Sequence, residues 1–170
     1  MNKLNKKYSI SKLKGVEIFN ENNFQDKRGI LWTSWSKVKL NKLKFNHDKF
    51  SVSKKKVLRG LHYDNKTWKL VSCAFGKVYF VVVNCDKKSK EYLKSFETIL
   101  DYKKNVQILI PPNFANGHLC ISDYCVFHYK LSYIGKYSDV KSQKVLKWND
   151  NRINIEWPIK KNLILSERDK

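Results

Sequence analysis

The run Val78-Tyr79-Phe80-Val81-Val82-Val83 decides the fold. It is short, rich in β-branched residues and apolar at every position. That is the pattern of a strand covered on both faces, not of one with a wet side. Phe75-Gly76-Lys77 just before it reads as a hairpin turn, so another strand ends where this one starts. Further out, Val106, Ile108 and Ile110 alternate with Gln107 and Leu109 until Pro111-Pro112 stops the strand. Cys120 to Leu131 reads as two strands around a turn at Ser122-Asp123. Many short strands at close spacing predict a sandwich or a barrel. Helix is minor: the segment from Asn151 to Lys170 has room for a short turn, and Trp157-Pro158 breaks anything longer. No internal repeat or linker composition interrupts the chain, which reads as a single domain over residues 1–170.

Composition narrows the function classes. A chain of 170 residues is long enough to bury about two-thirds of its unfolded surface. With 42% hydrophobic and 14% aromatic residues it is not a disordered segment. The formal charge of +20 invites a nucleic-acid reading. Against it, the lysines are spread along the chain, with small knots at Lys54-Lys55-Lys56 and Lys160-Lys161. Only Arg28, Arg59, Arg152 and Arg168 carry the planar fork suited to phosphate and base contacts. No helix-turn-helix, finger or RNP signature appears, so no nucleic-acid partner is expected. A solvated lysine surface is the plainer reading, and its field would still attract a small anionic substrate. Cys73, Cys85, Cys120 and Cys125 form no CxxC pair, and three of them sit in apolar runs as small core residues. The first residues lack the apolar core of a signal peptide, and no 18-residue apolar run occurs. The chain therefore reads as cytoplasmic, with reduced thiols and no membrane span.

The chemistry-bearing residues cluster around Val57-Leu58-Arg59-Gly60-Leu61-His62-Tyr63 and Trp68-Lys69-Leu70-Val71. Two strands joined by a short polar loop would bring together an arginine, a histidine and a lysine. That trio suits an anionic substrate on which protons are moved. Histidine as a residue type is the commonest general base, which makes His62 the candidate, although a lone strand histidine is more often structural. Strict alternation would put Arg59 and His62 on opposite faces. A bulge at Gly60 would return both to one side. Tyr129 shares a face with Cys125, Phe127 and Leu131 by alternation, the expected interior face, while His128 points the other way. A metal-binding His-x-His pair is missing, because Tyr63 and Asp64 follow His62. No metal and no cofactor is expected.

These motifs resemble the dTDP-4-dehydrorhamnose 3,5-epimerase family of nucleotide-sugar metabolism. The resemblance continues in order through Ile110-Pro111-Pro112-Asn113-Phe114-Ala115-Asn116-Gly117, Tyr129-Lys130, Trp148-Asn149-Asp150, Trp157-Pro158 and Leu165-Ser166-Glu167-Arg168-Asp169. It implies an all-β cupin fold, a double-stranded β-helix or jelly roll with little helix. It also implies an isomerase that inverts C3, or C3 and C5, of a nucleotide-linked 4-keto sugar. In the family the histidine matching His62 removes protons beside a 4-ketone, and those protons are acidic because the carbanion spreads onto the ketone oxygen. The resemblance makes Lys69 the stabiliser of that oxygen, Tyr129 the acid on the far face and Asp169 the partner of His62. Arg59 and Arg28 would hold the diphosphate, Arg28 lying in Phe24-Gln25-Asp26-Lys27-Arg28-Gly29, which is similar to the family's Phe-x-Asp-x-Arg-Gly. Family members are usually homodimers that exchange N-terminal strands, so Arg28 would serve the neighbouring site.

The chain also departs from the family. The usual Phe-Ala-His-Gly-Phe is Phe114-Ala115-Asn116-Gly117-His118 here, and the usual Gln-x-Asn is His47-Asp48-Lys49. Asn116, His118, His47, Lys49 and Phe24 are therefore expected at the substrate. These departures, with Lys66-Thr67-Trp68-Lys69, resemble the branch of capsular heptose biosynthesis, which acts on GDP-linked 4-keto-heptoses. GDP rather than dTDP is the implied carrier. Two rivals stand beside this reading: a 3,4-ketoisomerase on the same fold, and a basic binding module without activity.

Overall fold

A computed structural model describes residues 13–20, 23–36, 40, 42–138 and 141–170. In chain order the strands are β1 (Glu17–Asn20), β2 (Asn23–Asp26), β3 (Gly29–Trp32), β4 (Phe45–Lys54), β5 (Leu58–Tyr63) and β6 (Trp68–Phe75). They continue as β7 (Lys77–Asn84), β8 (Ser95–Asp101), β9 (Val106–Ile110), β10 (Phe114–Cys120), β11 (Tyr124–Ser132) and β12 (Lys144–Val145). The described residues hold no α-helix, only 3₁₀ turns at Tyr102–Lys104 and Glu167–Asp169. One sheet has the order β1-β9-β6-β11-β4, the other β12-β5-β10-β7-β8, and β2-β3 form a separate hairpin. All these ladders are antiparallel. The fold is the expected all-β, cupin-like jelly roll.

The two sheets close over one core. Val71, Cys73, Ile108 and Phe127 of the first sheet meet Val78, Phe80 and Val82 of the second. On the far side of the second sheet, Val81 and Val83 pack with Leu146, Ile153 and Trp157 of the C-terminal segment. This double cover explains why β7 is apolar at consecutive positions. The segment is tied there by the Trp157 indole, which donates to the Trp148 carbonyl at 2.8 Å. Gly76 makes the step from one sheet to the other at φ +74°, and a Cβ there would stand 2.1 Å from the Tyr124 carbonyl oxygen. The turn at Phe75-Gly76-Lys77 and the break between β10 and β11 fall where the sequence puts them. In β9 the alternation marks no wet face: Gln107 and Leu109 are as buried as Ile108 and Ile110.

Candidate active site

A cavity of about 690 Å³ opens between the sheets at one end, a size ordinary for a small-molecule ligand. The second sheet brings Arg59, His62 and Asn116 to it, the first brings Lys69 and Tyr129, and the C-terminal segment closes it with Asp169.

The first requirement is that Arg59 and His62 face the same way. In the β5–β10 ladder Asn116 lies opposite His62 and His118 opposite Arg59. Gly60 and Leu61 therefore share the single partner Gly117, a bulge that converts a three-residue step into a same-face one. Both glycines are needed. A Cβ on Gly60, at φ +126°, would meet Gly117 Cα at 2.6 Å, and one on Gly117 would meet the Arg59 carbonyl oxygen at 2.6 Å. Arg59 then extends along β4, where Nε donates to Ser53 Oγ at 3.0 Å.

His62 and Asp169 form a close pair, Nε2 to Oδ1 2.6 Å. The chain end is docked, not frayed. Val57 and Ile164 form a parallel bridge, Leu58 N–H donates to the Ile164 carbonyl, and Ile164 N–H donates to the Lys56 carbonyl. Asp169 is 4% exposed and also faces the Gly60 N–H at 3.4 Å. Burial raises its pKa, but the His62 hydrogen bond and charge outweigh burial and hold the carboxyl below its usual range. With Nε2–H committed to Asp169, the lone pair of a neutral imidazole sits on Nδ1.

Lys69 is 6% exposed and donates to Asn116 Oδ1 at 2.7 Å and to the His62 carbonyl at 3.1 Å. An ammonium has three donors, so one remains for a substrate oxygen. Burial lowers its pKa to about 8; Asp64 opposes the shift, and the charges of Arg168 and Lys49 add to it. Asn116, which stands where the family motif has histidine, thus fixes the lysine. Tyr129 lies on the inward face of β11 against Phe127, with ring centroids 4.8 Å apart. Burial raises its pKa, opposed by the Arg59 charge and the Ser51 hydroxyl.

Other expected residues are placed differently. Lys49 lines the cavity, donates to the Tyr137 hydroxyl and lies 4.1 Å from that ring's centroid. His47 stands behind Tyr137, its ring 4.5 Å away and Nδ1 3.2 Å from the Tyr133 hydroxyl, so it does not line the cavity. His118 does not line it either: it is fully buried beneath Tyr129. Phe24 and Arg28 sit on the β2-β3 hairpin, away from this chain's cavity. Phe24 is 77% exposed, and Arg28 pairs with Asp26 at 2.6 Å. Sequence reasoning missed Ser51, Thr67, Tyr137, Gln143 and Arg168, which all line the cavity. Arg168 could have been found as the neighbour of Asp169. Tyr137 and Gln143 lie outside the regular strands, where no periodicity marks them. Among the described residues no three His, Cys, Asp or Glu side chains gather as a metal site requires.

The profile of the family described as dTDP-4-dehydrorhamnose 3,5-epimerase matches residues 11–170. The chain belongs to this family. It is 36% identical to the dTDP-4-dehydrorhamnose 3,5-epimerase of Salmonella typhimurium, over 86% of this chain and 82% of that one. The Escherichia coli K12 epimerase of the same name is 34% identical, over 94% and 89% of the two chains. The crystal structure of the Legionella pneumophila dTDP-6-deoxy-D-glucose-3,5-epimerase, in complex with dTDP-4-keto-L-rhamnose, superposes with a TM-score of 0.84. That structure is 30% identical, and the match covers 91% of this chain and 84% of the other. As a member of the epimerase family the protein is an isomerase of nucleotide-linked sugars. No helix among the described residues is long and apolar enough to cross a membrane.

Proposed function

We propose that the cavity inverts C3, and C5 where the sugar allows it, of a GDP-linked 4-keto-6-deoxy-heptose. The observation that carries the chemistry is the His62–Asp169 pair at 2.6 Å beside a buried lysine with one donor left over. His62 Nδ1 takes the proton from the carbon next to the ketone, and Asp169 stabilises the imidazolium so formed. The electron pair moves onto the ketone oxygen, where Lys69 meets the negative charge in a water-poor site. Tyr129 gives a proton to the opposite face of the same carbon, and the centre is inverted. Arg59 and Lys49 hold the diphosphate at the mouth.

Support for the heptose reading comes from Asn116 and Lys49, departures from the rhamnose-pathway motifs that line the cavity. The relatives' names favour a second reading, a dTDP-linked hexose. Isothermal titration decides between them: GDP binding at least tenfold tighter than dTDP supports the first, and the reverse order supports the second. The reaction class is tested by NMR of the 4-keto sugar nucleotide incubated with the protein in D₂O. Deuterium at C3 and C5 reports two enolates, and deuterium at C3 alone reports one. No deuterium with either nucleotide sugar would sink the reading.

The exposed β2-β3 hairpin supports a homodimer in which Phe24 and Arg28 reach the neighbour's cavity. Light scattering at a dimer mass, with Arg28→Ala weakening nucleotide binding, is the expected result.

A further inference from the structure

His118 has no place in the mechanism so far. Its ring is 0% exposed, stacked on Phe127 with centroids 4.2 Å apart, and its Nδ1 lies 3.4 Å from the Tyr129 hydroxyl. Nε2 has no hydrogen-bond partner among the described residues. A buried, half-partnered imidazole in an apolar core is costly, so its one contact asks for an explanation.

The ring is neutral at working pH, because burial, helped by the Arg59 and His62 charges, lowers its pKa to about 3. A neutral imidazole carries one N–H. With the hydrogen on Nε2, that N–H would be buried without an acceptor, and the Tyr129 proton would turn toward Nδ1, away from substrate. With the hydrogen on Nδ1, the ring donates to the phenolic oxygen and the O–H is left free for the cavity. Only the bare lone pair of Nε2 is then unmatched. The same Nδ1–H would strengthen its hold once the oxygen becomes anionic.

We propose that His118 is a positioning residue for Tyr129: its Nδ1–H aims the phenolic proton at the sugar and holds the phenolate left after proton transfer. This rests on the epimerase reading above. In the step concerned the Tyr129 O–H bond breaks and a C–H bond forms from the enolate's electron pair. The negative charge stays on the phenolic oxygen until a water proton resets it. The contact at 3.4 Å is at the long end for a hydrogen bond and is expected to shorten as charge develops on the phenolic oxygen. The Ser51 hydroxyl, which lines the cavity, and the Arg59 charge both oppose the rise in the Tyr129 pKa and assist from the cavity side.

The test is the fate of the enolate in D₂O. If the acid is impaired, His62 returns deuterium to the original face more often, and label accumulates in unreacted substrate relative to inverted product. His118→Phe keeps the stack on Phe127 but deletes the donor, so that ratio should rise about tenfold or more, as expected for losing a hydrogen bond to a charged group. His118→Asn places an amide nitrogen at the position of Nδ1 and should restore the ratio. His118→Gln reaches one bond further and should not. A purely structural role would lower exchange and inversion together and leave the ratio unchanged, which overturns the proposal. A wild-type protein that exchanges no proton on either sugar nucleotide would instead overturn the epimerase reading. Independently of substrate, long-range ¹H–¹⁵N correlation on ¹⁵N-histidine protein should place the His118 proton on Nδ1, the signal being identified by its loss in His118→Phe. A proton on Nε2 overturns the assignment.

Discussion

The carboxylate of Asp169, one residue from the end of the sequence, stands 2.6 Å from Nε2 of His62, 107 positions earlier. The 3₁₀ turn Glu167–Asp169 and the Val57–Ile164 bridge bring the two together. The pair fixes which imidazole nitrogen is basic. Asp169→Asn keeps the shape but offers an amide N–H to Nε2, favouring the wrong tautomer. Deuterium exchange into substrate should fall by about 10²- to 10⁴-fold. Thermal unfolding should fall only modestly: the shape is kept, and what is lost is the stabilisation of the ionised carboxyl by His62. Exchange at the wild-type rate would show that the base does not depend on this carboxylate.

Lys69 gives opposite pH trends for activity and stability. Its pKa is about 8 in the folded chain against an ordinary 10.5, so between these values the unfolded chain holds a proton the folded one has released. Stability attributable to Lys69 therefore rises with pH across that window. The ammonium needed at the enolate oxygen disappears over the same window, so kcat/KM should fall as pH passes about 8. Lys69→Met isolates both effects from the other titrating groups. The difference in unfolding free energy between wild type and variant should grow from pH 8 to 10, while residual activity loses its alkaline limb.

Tyr129→Phe should separate the two halves of the reaction. The base and the enolate stabiliser remain, so exchange at the sugar carbon should persist within about tenfold of wild type. Inversion, which needs a donor on the opposite face, should fall by about 10²-fold or more. Equal loss of both would contradict the division between His62 and Tyr129.

Alternation and local apolar runs made much of this legible. The β7 run announced a strand covered on both faces, and the C-terminal segment with Leu146 and Trp157 supplies the second cover. Gly60 announced a bulge because Arg59 and His62 could not otherwise share a face. Alternation says which face a side chain takes, not what stands in front of it. His118 and Asn116 share a face of β10, yet Asn116 reaches the cavity and His118 lies under Tyr129. His47 is likewise screened by Tyr137, which lies in an irregular segment that no pattern marks. For Phe24 and Arg28 the motif alone does not say which chain's cavity they serve; only the resemblance to strand-exchanging dimers pointed to the neighbour, and the hairpin stands apart from this chain's cavity.

The Gly60–Gly117 contact gives a prediction that needs no substrate. Gly60→Ala would place a methyl 2.6 Å from Gly117 Cα at φ +126°, and Gly117→Ala one 2.6 Å from the Arg59 carbonyl oxygen. Neither obstacle is a flexible side-chain end, so the β5–β10 ladder must open. Each change should cost about 3 kcal/mol in denaturant unfolding, the scale of overpacking plus an unfavourable φ. Gly135→Ala is the control: it also has positive φ, +76°, but its Cβ meets nothing within 4 Å, so it should cost only about 1 kcal/mol. The two bulge variants should also be non-additive, because once one methyl has separated the strands the second meets relieved space. If Gly60→Ala costs no more than Gly135→Ala, the strands separate freely there. The bulge would then not be what holds Arg59 and His62 on the same side.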